Sequence, residues 1–115
     1  ATRNQQIYRK ITISGPDGIS NISGEVPHNF SLEQNYPNPF NPSTTIRFAV
    51  PKSTNVTIEV FDIAGRLVRT LANNEFVTPG VKEVSFDASQ LSSGIYFYTL
   101  KAANFTETKK MILVK

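Results

Sequence analysis

Residues 45–60 read Thr45-Ile46-Arg47-Phe48-Ala49-Val50-Pro51-Lys52-Ser53-Thr54-Asn55-Val56-Thr57-Ile58-Glu59-Val60. Ile46, Phe48 and Val50 alternate with Thr45, Arg47 and Ala49, and the run stops at Pro51. Val56, Ile58 and Val60 then alternate with Thr57 and Glu59. A period of two sends each apolar set to one face of an extended chain, whereas a helix would want apolar residues three and four apart. The β-branched and aromatic side chains also favour a pleated, half-buried surface. Two short strands are predicted here, and they set the character of everything downstream.

Toward the C-terminus the same texture repeats. Ala64-Gly65-Arg66 marks a turn, Leu67 to Leu71 resumes an extended apolar pattern, and Thr78-Pro79-Gly80 turns again. Val84 and Phe86 form an inward pair, Leu91-Ser92-Ser93-Gly94 turns into a strand over residues 95–102, and Asn104 marks the turn before a closing strand, Thr108 to Lys115. No long stretch repeats apolar residues at helical spacing. About seven short strands with turns at this density predict an all-β fold, an antiparallel immunoglobulin-like β-sandwich. Two strands, Ile95 to Leu100 and Met111 to Val114, are apolar on both faces. An antiparallel sandwich strand normally turns one polar face to water, so these two are either covered or face a partner.

Toward the N-terminus lies Asn35-Tyr36-Pro37-Asn38-Pro39-Phe40-Asn41-Pro42-Ser43-Thr44. Its prolines fix φ and remove backbone donors, which excludes helix and central strand. The segment must run extended or turned over a surface, with Tyr36 and Phe40 as candidates to anchor it in the core. Residues 15–29 are rich in Gly, Pro, Ser and Asn with isolated apolar residues, the composition of a linker. Gln6 to Ser14 places Ile7, Ile11 and Ile13 on one parity with no local partner strand. It is expected to be the last strand of a truncated upstream passenger domain (residues 1–14), followed by the linker (15–29) and one C-terminal domain (30–115).

Composition narrows the function. The 115 residues are 39% apolar and 18% charged, enough for one modest core. No apolar run could span a membrane as a helix, and residues 1–4 open on polar side chains with no signal-peptide pattern behind them. Cysteine is absent, which excludes thiol chemistry and Cys-based metal sites. The net charge of +3 comes from Lys and Arg scattered singly, so no basic stripe for nucleic acid forms. Arg3, Arg9 and Lys10 balance Asp17, Glu25 and Glu33 in the first 35 residues. The one histidine, His28, sits beside Pro27 in the linker, where a solvated role is the plain reading. There is no carboxylate pair, nucleophile–base pattern, metal spacing or phosphate loop, so no catalysis, no cofactor and no metal are expected. Asn21, Asn29, Asn55 and Asn104 stand in N-x-S/T sequons, which polar β-proteins contain by chance.

Four motifs in order carry a resemblance. Phe30 to Phe48 closely resembles the opening of the type A C-terminal sorting domain of the type IX secretion system. Val56 to Val68 is similar to that family's second strand and turn, and Leu91 to Tyr98 and Lys109 to Lys115 to its closing signatures. The resemblance implies a seven-stranded sandwich carried at the C-terminus of unrelated passengers. It implies Sec export, recognition in the periplasm by an outer-membrane translocon, and delivery to the cell surface or medium. Removal by a surface peptidase is implied as a common step, with attachment of the passenger to an anionic lipopolysaccharide as one fate. The recognition residues implied are Pro37, Asn38, Pro39, Phe40, Asn41 and Pro42 in the loop, Gly94 and Tyr96 in the penultimate motif, and Lys109, Lys110, Met111, Ile112, Leu113, Val114 and Lys115 in the tail. For each a structural role competes: the loop as a rigid lead-in, Gly94 and Tyr96 as turn and core, the tail as a core strand. Within the tail, Met111 and Leu113 share one face and Ile112 and Val114 the other, so one pair is expected inward and the other available.

Two other functions stay open. One is a structural or adhesive spacer, similar to the sandwich of flagellar hook-capping proteins. The expected Trp-Asp-Gly is missing there; Ser85-Phe86-Asp87-Ala88 stands instead, and the chain has no Trp. The other is a carbohydrate-binding module, for which Tyr96 and Tyr98, two apart and on one face, would form the aromatic platform.

Overall fold

The computed structural model describes residues 19–23 and 25–115. The order is β1 (Ile19–Ser23), β2 (Ser31–Leu32), β3 (Ser43–Val50), β4 (Thr54–Asp62), β5 (Leu67–Val77), β6 (Gly80–Asp87), β7 (Gly94–Ala102) and β8 (Phe105–Leu113). They form two four-stranded sheets, β1-β6-β3-β2 and β5-β4-β7-β8, with every strand pair antiparallel. The expected antiparallel sandwich is the fold, with eight strands among the described residues in place of about seven.

The alternation at 45–60 behaves as its period requires. Ile46, Phe48 and Val50 on β3 and Val56, Ile58 and Val60 on β4 are fully buried. Because Pro51-Lys52-Ser53 carries the chain from one sheet to the other, the two apolar faces meet across a single core. Val84 and Phe86 join them from β6, and Tyr96, Tyr98 and Leu100 from β7. Each such side chain contributes about 1.5–3 kcal/mol by leaving water.

The β4–β5 turn is built on Asp62. Its Oδ1 accepts the backbone N–H groups of Ala64 (3.0 Å) and Arg66 (2.9 Å), and its Oδ2 accepts Arg66 Nε–H (2.9 Å). Gly65 takes φ +87, a conformation that costs a side-chain-bearing residue strain. The backbone amide of Arg66, foremost, lowers the Asp62 pKa below its ordinary value.

Two expectations are corrected and one is extended. Part of the stretch with linker composition, Ile19–Ser23, lies along the edge of β6 as β1. A backbone ladder accepts almost any side chains on its solvent face, so composition alone did not reveal it. β5 extends beyond the apolar pattern of Leu67 to Leu71, reaching Val77 through an irregularity of the ladder at Asn73 and Asn74. Asn74 adopts φ 52 and its N–H donates to Thr57 Oγ1 (3.0 Å). Tyr36 is 82% exposed, leaving Phe40 alone as the loop's core anchor. The expected strand Gln6 to Ser14 lies outside the described residues.

Candidate recognition surface

The proline-rich loop and the C-terminal strand are one structural unit. Phe40 is buried, its ring 6.1 Å from that of Phe86, and its backbone lies parallel to β8 opposite Leu113. Phe40 N–H donates to the Ile112 carbonyl and Val114 N–H donates to the Phe40 carbonyl, both at 2.9 Å. Asn38 Oδ1 accepts the Ile112 N–H at 2.9 Å, and Gln34 Nε2 donates to the Lys110 carbonyl at 2.6 Å. The outward-pointing backbone groups of β8 at residues 110, 112 and 114 are therefore engaged. The C-terminal end of an edge strand that would otherwise invite pairing with another chain is thereby covered.

The loop is fixed at its other end too. Asn35, itself buried, donates from Nδ2 to the Pro37 carbonyl (3.1 Å) and to Thr44 Oγ1 (3.0 Å). Tyr36 and Thr45 exchange backbone hydrogen bonds at 2.9 and 3.0 Å, and the Pro42 carbonyl accepts Ala88 N–H at 2.9 Å. Pro37, Asn38, Pro39 and Asn41 are left on the surface, with Pro42 half-buried.

Met111 and Leu113 point inward and are buried; Ile112 is half-buried on the other face and Val114 is 50% exposed. The last residue is held as well: Lys115 N–H donates to Ser93 Oγ (3.0 Å) and its Nζ to the Ser89 carbonyl (2.7 Å). Gly94 pairs with Leu113 and Tyr96 with Met111, so the penultimate motif adjoins the tail. Tyr96 is buried and its hydroxyl donates to the Ser92 carbonyl at 2.7 Å. Lys109 pairs with Glu107 at 3.3 Å, while Lys110 is exposed and has no ion-pair partner among the described residues.

The outer face of this sheet carries an apolar strip in which Ile112 and the two-faced strand of Ile95 and Phe97 were expected, while Phe61 and Leu67 were not singled out. Ile95 stands opposite Ile112, and Phe61 stands opposite both Phe97 and Leu67. Ile95 is 37% and Leu67 52% exposed, with Phe61 and Phe97 half-buried. The strip thus crosses all four strands and ends beside Lys110, the partner of Phe97 in the register. The signal for it was present: Phe61 and Phe97 each occupy the parity opposite to their strand's buried set.

No group of His, Asp or Glu side chains among the described residues is arranged to hold a metal ion, and no helix there is long and apolar enough to cross a membrane. Tyr96 and Tyr98 both lie in the core, so the aromatic platform that a carbohydrate-binding reading requires does not exist at those residues.

The model of the family described as "Secretion system C-terminal sorting domain" matches residues 34–115. The chain belongs to that family. Its sorting domains are the C-terminal signals for type IX secretion, a role in targeting and not normally a catalytic one. Membership implies interaction with the type IX secretion machinery and export to the cell surface or medium. Among solved structures, the chain is similar to CopC from Methylosinus trichosporium OB3b, at 18% identity and TM-score 0.45, over 74% of this chain and 91% of that one. No curated protein matches the chain. The sorting-domain match begins at Gln34, which leaves β1 and β2 upstream of the matched span.

Proposed function

We propose that this domain addresses an upstream passenger to the outer-membrane translocon of the type IX system, and that a surface peptidase afterwards removes it. The translocon docks on the folded surface made by the loop 37–42 and the outward side of β7 and β8. Passage through the periplasm precedes that encounter. The observation that carries the reading is the outward row on the tail: Ile112 against Ile95, Val114 beside them, and Lys110 uncompensated at the end of the strip. These side chains contribute little to the core, and a contiguous apolar patch kept in water is characteristic of a surface that meets a partner. The tail is laced to the loop, so the partner engages it as part of a sandwich and not as a free peptide.

The experiment places residues 1–115 behind a periplasmic reporter in a host with the type IX machine. Ile112 and Val114 are changed together to Ala, and separately Lys110 to Glu. Surface delivery should fall severalfold while the melting temperature stays near that of the parent. Delivery that simply follows thermal stability across these variants and the inward pair would reduce the tail to a core strand.

A further inference from the structure

Lys82 is an unusual resident of a sandwich core. It stands on β6 between the buried Gly80 and Val84, on the inward parity, and is only 2% exposed. Its Nζ donates to Thr78 Oγ1 (3.0 Å) and to the side-chain oxygen of Asn21, which β1 places directly opposite it in the ladder. Burial pushes the Lys82 ammonium below the ordinary lysine pKa.

Without β1, the outer edge of β6 would be an open row of backbone donors and acceptors. An inward-pointing charge is one way proteins make such an edge unattractive to passing strands. An apolar strand laid there would leave the ammonium with Thr78 Oγ1 but without the acceptor that Asn21 supplies, at the cost of desolvating an incompletely satisfied cation. A strand that brings a carboxamide or hydroxyl oxygen over Nζ removes that penalty. β1 does so with Asn21, adds Ile19 to the core margin, and leaves Ile22 exposed at 42%. Apolar burial by β1 is therefore small, and the polar contact at Lys82 is what distinguishes this strand from any other.

We propose that the outer edge of β6 is a strand-docking site gated by Lys82. It admits an extended segment that carries a hydrogen-bond acceptor over the ammonium, and its occupant is this chain's own segment 19–23, upstream of the sorting signal. The inference is independent of translocon recognition, because β1 lies outside the family-matched span and on the other sheet from β8. Its consequence is that the upstream part is tied to the sandwich by a seated strand, since β1 and β2 take the two opposite edges of the same sheet.

Residue-resolved amide hydrogen exchange on the full chain tests this in the parent, Asn21→Leu, Lys82→Met and the double variant. In the parent, amides within 19–23 should exchange well below the open-chain rate, independently of protein concentration. Asn21→Leu should accelerate them about tenfold or more without changing β3 or β8. Asn21→Leu/Lys82→Met, which replaces the polar pair by an apolar one, should restore protection. Open-chain exchange of 19–23 in the parent would overturn the docking site, and protection that rises with concentration would overturn the intramolecular occupant. An Asn21→Leu chain as protected as the parent would overturn the gating by Lys82. Should the single variant lose its overall fold, the double variant decides: restored protection supports the gate and its failure refutes it.

Discussion

The phenol oxygen of Tyr98 lies 2.7 Å from the backbone nitrogen of Asn35 and accepts its proton, while its own proton goes to the Glu33 carbonyl at 2.7 Å. One hydroxyl on β7 thus satisfies both polarities of the chain just before the proline-rich loop. Tyr98→Phe should destabilise the domain by about 1–3 kcal/mol, since it leaves a buried N–H without an acceptor. Chemical denaturation of parent and variant measures this directly.

The same hydroxyl makes stability depend on alkaline pH. Burial foremost raises the Tyr98 pKa from its ordinary 10.0 to about 12. A group whose pKa is raised on folding contributes its stability fully below the unfolded value and loses it as pH climbs through the folded one. Stability should therefore decline between about pH 10 and pH 12. In Tyr98→Phe that part of the decline should be absent, which a denaturation series in alkaline buffers would reveal.

Gly94 is conformational rather than close-packed. A Cβ placed there would meet no atom within 4 Å, yet φ is +156, where L side chains are rarely found. Gly94→Ala is expected to cost about 1–3 kcal/mol from backbone strain alone, with no rearrangement of neighbours. A crystal structure of the variant should superpose closely on the parent while its melting temperature falls.

The two faces of the tail should separate in a stability assay. Met111→Ala or Leu113→Ala removes a buried side chain and should cost about 2–5 kcal/mol. Val114→Ala, at an exposed site, should stay within about 0.5 kcal/mol. Urea midpoints for the three variants would settle the assignment of faces.

Asn38→Ala removes the acceptor of the Ile112 N–H, at a place where water can replace it. The loss should be no more than about 1 kcal/mol. Exchange of the Ile112 amide should nevertheless quicken selectively, whereas amides of the β3–β6 ladder should not respond.

What could be read from the sequence follows from which signals are local. Alternation at 46–50, 56–60 and 84–86 predicted the buried faces correctly, because a strand with one side in a core has little freedom in what it displays. Tyr36 and Phe40 were indistinguishable as aromatic anchors in a proline-rich loop. Only the approach of β8, carrying Ile112 and Leu113, selects Phe40. The continuation of β5 past Leu71 carries no apolar pattern, and its irregularity at Asn74 is held by Thr57 on the neighbouring strand. β1 was hidden for the same reason: its partner Lys82 is 61 residues away, and nothing in Ile19-Ser20-Asn21-Ile22-Ser23 announces a strand without it. For the candidate surface, the sequence pointed to loop and tail as separate elements; that they are one surface depends on Gln34, Asn38 and the Phe40 backbone, which carry no pattern of their own.

Asn38 and Ile112 are 74 residues apart in sequence. Closing a contact of such separation carries a large loop-closure cost, so the joint between loop and tail exists only where the sandwich between them has brought its two ends together. If the proposed surface is what the machine reads, the address is a conformation and not a stretch of sequence, and short peptides copied from either segment should compete poorly with the intact domain.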